Sequence, residues 1–144
     1  MPQMIFVNLP VADLERSKAF FAGLGFGFSR RLGDTTTACM VVSDTIFVML
    51  LTHARYRQFA GKEIADATKV SETMICLSRD SCAEVDAMME AALKGGATES
   101  RTAEDLGFMY HRAFDDPDGH TWEVMWLDPA AMQFGEALHH RQAE

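Results

Sequence analysis

The chain alternates between two hydrophobic periods, one of two residues, which is typical of strands, and one near 3.6, which is typical of helices. Over residues 4–11 every second side chain from Ile5 to Val11 is apolar, which predicts a strand. Asp13 then has the side chain of a helix N-cap, and apolar residues three and four apart predict a helix to about Leu24. Three more strands are predicted near residues 26–32, 36–43 and 45–52.

The same order of elements returns in the second half of the chain. An apolar strand is predicted over residues 72–78, and a capping box formed by Ser81 and Glu84 predicts a helix that ends near Lys94. Three strands again follow, near residues 98–102, 107–114 and 120–127. Strand, helix and three strands therefore occur twice, which predicts an α+β fold of two βαβββ modules.

The two modules are predicted to form a single domain over residues 1–144. Its parts are module one at about 4–52, a connection at about 53–71, module two at about 72–127, and a short C-terminal helix and tail at 128–144. A helical turn is predicted at the start of the connection, over residues 53–60.

The last two predicted strands are joined by a strong turn signal, Asp116-Pro-Asp-Gly119. In the strand that follows, Glu123 lies between Trp122 and Val124 and must point to the face opposite both, because side chains alternate along a strand. Two interpretations stay open for its carboxylate. It forms an ion pair with Arg112 across the hairpin, or it projects into a site as an acid, a base or an anchor for a cation.

Composition excludes some classes of partner. The chain carries 13 Lys and Arg against 21 Asp and Glu, a net charge of -8, without a basic cluster, so neither nucleic acid nor an anionic membrane is expected. No apolar run reaches the roughly 18 residues of a membrane span. Three cysteines without a CxxC pair, and no visible signal peptide, predict a cytoplasmic protein. His53 and His120, at strand ends, are interpreted as solvated or capping residues.

Two segments resemble a known family. Residues 6–14, FVNLPVADL, with the run from Ser17 to Gly25, resemble the opening of the vicinal oxygen chelate superfamily, and Asp116-Pro-Asp-Gly-x-x-x-Glu123 resembles its closing signature. This superfamily contains glyoxalase I, bleomycin resistance proteins, fosfomycin resistance enzymes and extradiol dioxygenases. Residues 40–53 and 107–110 are similar to a subgroup of predicted lactoylglutathione lyases. The resemblance implies two βαβββ modules curled as a mixed sheet around a cleft, and often a homodimer.

The resemblance also implies where a metal ion would bind. Metal-dependent members of the superfamily use four side chains, and the matching positions here are Phe6, Leu50, Met74 and Glu123. Only Glu123 offers a ligand that a hard or borderline divalent cation prefers. We therefore expect no metal, with a divalent ion as the alternative.

The expected ligand-binding cleft combines the four metal positions with two further polar residues. It consists of Phe6, Asn8, Leu50, Met74, Tyr110 and Glu123. Asn8 is either a satisfied amide or a ligand contact, and Tyr110 is either a packing residue or a ligand contact. The sequence therefore predicts a protein that binds a small, partly apolar molecule in the cleft without metal. The alternative is a lactoylglutathione-lyase-like enzyme, a lyase or isomerase of glyoxalase I type, that acts on a carbonyl adduct. In it Glu123, the candidate catalytic residue, would be a metal ligand or the proton-transfer group.

Overall fold

The computed structural model of the chain describes residues 1–132. These residues divide into two compact units, the first made of residues 1–72 with the turn 117–120, and the second of residues 73–116 and the chain from Thr121 onward. Within residues 1–132 no helix is long and apolar enough to cross a membrane.

The first unit has the predicted order of strand, helix and three strands, followed by a second helix. Its elements are β1 (Ile5–Val11), α1 (Leu14–Gly23), β2 (Gly27–Ser29), β3 (Thr37–Val41), β4 (Ile46–Thr52) and α2 (His53–Ala60). The sheet order is β1-β4-β3-β2, with β1 parallel to β4 and the other pairs antiparallel. Helix α1 packs on one face of this sheet, where Leu9, Val48 and Leu50 are buried. Helix α2 contacts β1 and β4.

The second unit repeats this plan. Its elements are β5 (Met74–Arg79), α3 (Cys82–Lys94), β6 (Thr98–Asp105), β7 (Met109–Asp115), β8 (Thr121–Leu127) and a 3-10 turn (Pro129–Met132). The sheet order is β5-β8-β7-β6, and β5 runs parallel to β8. Helix α3 packs on the face that carries the buried Phe114, Trp122 and Val124.

These two four-stranded mixed sheets confirm the predicted α+β fold of two βαβββ modules. The predicted caps are also present, since the Asp13 carboxylate accepts from the Arg16 amide at 3.0 Å and the Ser81 hydroxyl accepts from the Glu84 amide at 3.1 Å. The predicted C-terminal helix begins as the 3-10 turn, and its remainder and the tail lie outside the described residues.

The turn 117–120 groups with the first unit although its neighbours in sequence belong to the second. The carboxylate of Asp118 accepts hydrogen bonds from the Ala12 amide at 2.8 Å, the Arg16 guanidinium at 3.2 Å and the Ser17 hydroxyl at 3.3 Å. It thus binds the amide of the residue before the N-cap Asp13 and forms an ion pair with Arg16 in the first turn of α1. The turn 117–120 therefore also stabilises the beginning of α1.

Gly119 occupies a position that no other residue fits well. Its φ is +91°, and a Cβ built there would lie 2.9 Å from both the backbone nitrogen and the side chain of Thr68. The positive φ disfavours any residue with a Cβ, and the close backbone of Thr68 adds a steric clash.

We expect Gly119→Ala to lower the free energy of unfolding by about 2 kcal/mol, because the backbone strain alone costs roughly 1–2 kcal/mol. The measurement is urea unfolding of the variant against the parent chain. Gly23→Ala is the matched control, because Gly23 lies in α1 with nothing within 4 Å of its built Cβ, and this change should be neutral or stabilising. Equal effects of the two substitutions would contradict this account of the turn.

Candidate functional site

The face of the first sheet that lies opposite α1 carries two of the predicted cleft residues. Phe6 and Asn8 point to this face, and the register of β1 and β4 adds Phe47, Met49 and Leu51 to it. The rings of Phe6 and Phe47 stack with centroids 4.9 Å apart, and Phe6 is 42% exposed. We call this the open face of the first sheet.

Leu50 does not lie on the open face of the first sheet. It pairs with Leu9 in register, is fully buried and points toward α1. Strand alternation therefore separates it from Phe6 and Asn8, with which the resemblance had grouped it. The neighbours of Leu50 in β4, Met49 and Leu51, take the positions beside Asn8.

A recess lies where α2 meets this face. One cavity of about 380 Å³ is lined by Asn8, Leu51, Tyr56, Phe59 and Ala60. An adjoining cavity of about 320 Å³ shares three of these residues and is also lined by charged and polar side chains. Its lining consists of Asn8, Arg31, Leu32, Gly33, Asp34, Thr37, Met49, Leu51, Arg55 and Phe59. We call the two together the Asn8 recess. Sequence reasoning missed its α2 wall, although Tyr56 and Phe59, three residues apart on one side of a helix, were a visible signal.

The polar side chains of the Asn8 recess differ in how strongly they interact with other residues of the chain. The Asn8 amide donates only a long hydrogen bond of 3.4 Å to the Phe6 carbonyl. The Arg55 guanidinium lies 4.5 Å from the centroid of the Phe59 ring and donates to Gln58 at 2.7 Å. Hydrogen bonds from the Thr36 amide and hydroxyl lower the pKa of Asp34, so this carboxylate stays ionised.

Glu123 lies on the face of the second sheet that α3 leaves open. Its carboxylate forms an ion pair with Arg101, whose guanidinium also lies 3.1 Å from Nδ1 of His111. Because arginine only donates, His111 Nδ1 accepts, and Nε2 of the same ring lies 3.4 Å from Glu104 Oε1. Glu123 therefore belongs to a chain of polar side chains on this face.

Of the two interpretations left open for Glu123, the ion pair with Arg112, which assumed a four-residue loop, is wrong. Residues 116–120 separate β7 from β8, so the connection has five residues, where a four-residue loop would be needed to place Arg112 opposite Glu123. The extra residue shifts the register by one, and Ala113 stands opposite Glu123. Arg112 points toward α3, where it forms ion pairs with Asp86 and Glu99, each at 3.0 Å.

Tyr110 shares a strand face with Arg112 and is therefore separated from Glu123. Its hydroxyl donates to Asp86 at 2.6 Å. This hydrogen bond, and the guanidinium of Arg112 to a smaller extent, lower the pKa of Asp86, whereas the hydrogen bond to Asp86 together with burial raises the pKa of Tyr110. The structure thus gives Tyr110 a partner in α3 and does not bring it together with the other predicted cleft residues of its unit.

Met74 and Cys76 lie on the same face of the second sheet as Glu123, because Cys76 pairs with Glu123 in register. Burial and, to a smaller extent, the charge of Glu123 raise the pKa of the Cys76 thiol. The thiol therefore stays protonated near neutral pH and is a poor nucleophile.

A divalent metal ion, which the superfamily implies, does not fit these residues. Phe6 and Leu50 lie on opposite faces of their sheet, Met74 offers only a thioether, and the Glu123 carboxylate is held by Arg101. Over residues 1–132 no group of three His, Cys, Asp or Glu side chains is placed to hold a metal ion.

Comparison with known proteins agrees with this fold. Residues 3–43 match the family described as bleomycin resistance protein-like N-terminal. A search of curated proteins gave no match. Among solved structures, the chain is similar to a hypothetical protein from S. aureus, at 25% identity with a TM-score of 0.75, covering 88% of this chain and 94% of that one.

Two further structures carry functional descriptions. One is a glyoxalase/bleomycin resistance protein/dioxygenase family enzyme from Burkholderia phytofirmans, with 17% identity, a TM-score of 0.75, and coverage of 88% of this chain and 99% of that one. The other is the fosfomycin resistance protein FosX from Mesorhizobium loti, with 19% identity, a TM-score of 0.66, and coverage of 92% and 98%.

The fold is therefore that of the vicinal oxygen chelate superfamily, which confirms the resemblance seen in the sequence. Within this class the match over residues 3–43 is to the bleomycin resistance protein-like group. The narrower resemblance to predicted lactoylglutathione lyases stays a prediction.

We expect Tyr110→Phe to lower the free energy of unfolding at pH 7 by about 0.5–1.5 kcal/mol, the range for one hydrogen bond. The value should lie near the lower limit because the Asp86 side chain is 47% exposed. Since the pKa of Asp86 is lowered in the folded state, its contribution is present above the unfolded pKa of about 3.9 and is lost as the pH falls through the folded value.

The difference between Tyr110→Phe and the parent chain should therefore shrink in acid, which urea unfolding at several pH values measures. Tyr56→Phe is the matched control, because the Tyr56 hydroxyl makes no hydrogen bond within residues 1–132. A Tyr110→Phe effect that does not change with pH would contradict the assigned role of Asp86.

Proposed function

We propose that the chain binds a small, partly apolar molecule in the Asn8 recess, and that it does so without a metal ion. The observation that carries this proposal is the pairing of an apolar floor with one weakly bonded amide in a recess of ligand size. Cavities of about 380 and 320 Å³ meet at Asn8, Leu51 and Phe59. Small-molecule sites are commonly apolar, contain a few polar groups and have volumes of roughly 300–1,000 Å³.

The apolar part of the recess would hold the body of the ligand. Leu51 forms its floor on β4, and Tyr56 and Phe59 line it from α2. Phe59 is 64% exposed, so a ligand that covers its ring removes apolar surface from water. The proximity of Arg55 to the same ring keeps one charged group beside this apolar wall.

The polar part of the recess would orient the ligand. Asn8 supplies both a donor and an acceptor and is only weakly engaged by the Phe6 carbonyl. Arg31 and Arg55 line the adjoining cavity, where the single carboxylate, Asp34, already accepts from Thr36. A molecule with an apolar body and an electron-rich polar group complements this arrangement.

The proposed site contains no metal ion because of the chemistry of the side chains at the four superfamily ligand positions. Three of the four superfamily ligand positions, Phe6, Leu50 and Met74, provide no oxygen or imidazole donor. The alternative, a lyase or isomerase acting through Glu123, has less support because Arg101 already binds this carboxylate. The homodimer implied by the resemblance and the cytoplasmic location remain predictions.

Anilinonaphthalene sulfonate is a suitable probe for this recess, because it joins aromatic rings to an anionic group. We expect the parent chain to bind it with a rise in fluorescence, and Phe59→Ser to weaken the affinity by about tenfold, since losing a large part of an aromatic contact costs on the order of 1.4 kcal/mol. Fluorescence titration measures both affinities.

Phe108→Ser is the matched control, because Phe108 is also exposed, at 51%, and lies in the other unit. It should leave the affinity within about twofold. An unchanged near-ultraviolet circular dichroism spectrum shows that both variants keep the parent side-chain packing, which excludes binding of the dye to loosened protein. Equal losses in the two variants, or no loss in Phe59→Ser, would contradict the proposed location.

A further inference from the structure

A second recess lies on the other side of α2, within the first unit. It has a volume of about 460 Å³, and its lining comes from the end of β1, from α1, α2, the loop after α2 and the turn 117–120. Four of its side chains are basic or can become so, namely Arg16, His53, Arg57 and His120. We call it the His53 recess. It shares no lining residue with the Asn8 recess.

The two carboxylates of the His53 recess already have partners. Asp118 accepts from Arg16, Ala12 and Ser17, as described for the turn. Asp66 accepts from the Thr68 hydroxyl at 2.6 Å and from its amide at 3.0 Å. The charge of Arg16 is therefore matched by Asp118, and Asp66 is turned toward its own loop.

His120 donates from Nε2 to the Pro10 carbonyl at 2.7 Å, which leaves His53 and Arg57 among the four basic side chains. They stand four residues apart in α2, so they lie on the same side of the helix, and both line the recess. Neither side chain makes a hydrogen bond or an ion pair within residues 1–132. The recess therefore holds one guanidinium, that of Arg57, without an ion pair in the described residues, beside an imidazole that can donate a hydrogen bond.

The remaining walls limit the size and type of ligand. They are formed by small or aliphatic residues, namely Pro10, Ala12, Ile64, Ala65, Ala67, Thr68 and Pro117. The lining contains no phenylalanine, tyrosine or tryptophan ring on which a nucleotide base would stack. The space therefore suits an anionic group attached to a short aliphatic body.

We propose that the His53 recess binds a small aliphatic phosphate monoester, with the phosphate oxygens held by Arg57 and His53. The guanidinium of arginine engages two oxygens of a phosphate at once, and a third oxygen stays available for the imidazole. A phosphate monoester carries three terminal oxygens and a charge of about -1.5 to -2 near pH 7, so it offers a separate oxygen to each of the two side chains and a larger charge to Arg57. A carboxylate carries only two oxygens and a single charge, and it is therefore the weaker ligand for this pair.

The test uses inorganic phosphate as the probe and acetate as the competing anion. Titration of the complete chain, followed by amide NMR signals or by calorimetry, should show saturable phosphate binding, with acetate at least about tenfold weaker. Arg57→Gln should weaken phosphate binding by about tenfold or more, the range expected when a hydrogen bond to a charged group is lost. His53→Gln should weaken it by a smaller factor.

Arg55→Gln is the matched control, because it removes the same charge from the same helix but lines the Asn8 recess. It should leave phosphate binding within about twofold. The inference is overturned if phosphate does not saturate, if acetate binds as well as phosphate, or if Arg55→Gln and Arg57→Gln have equal effects. Binding of the dye to the Asn8 recess should persist in Arg57→Gln. Loss of phosphate binding at the His53 recess is therefore distinguishable from loss of dye binding at the Asn8 recess.

Discussion

The alternation of side chains along each strand is the constraint on which the candidate sites depend. Each sheet packs one face against α1 or α3, so a shift of one residue moves a side chain between that core face and the opposite face. In β8 this separates Glu123 from its neighbours Trp122 and Val124, which are buried toward α3. The same rule, with the five-residue connection, sends Arg112 toward α3 and leaves Glu123 to pair with Arg101.

The same constraint decides what the first sheet can bind. The parallel pairing of β1 with β4 places Phe6 and Asn8 beside Phe47, Met49 and Leu51. An apolar open face of this kind becomes a recess only where another element closes one side of it, and α2 does so with its aromatic side chains. The proposed binding site is thus built from a sheet face and one helix, and none of the four metal positions of the superfamily lines it.

Much of the fold could be predicted from sequence because its signals are local. The periods of two and 3.6, the Asp13 and Ser81 caps and the turn at Gly119 each involve residues close in sequence, and all are present in the structure. The site was harder to predict because its contacts are distant. Arg101 reaches Glu123 across 22 residues from a strand whose register is irregular, and no local pattern indicates that pairing. The length of one connection was enough to misplace Arg112.

The central claim is that ligand binding by this chain does not require a metal ion at Glu123. The most direct test is equilibrium dialysis against Zn²⁺, Ni²⁺, Mn²⁺ and Mg²⁺, followed by elemental analysis, for the parent chain and for Glu123→Gln. Because Arg101 occupies the Glu123 carboxylate and the other three positions lack suitable donors, we predict far less than one bound ion per chain, with no difference between the two proteins. One tightly bound ion per parent chain that is lost in Glu123→Gln would contradict the account.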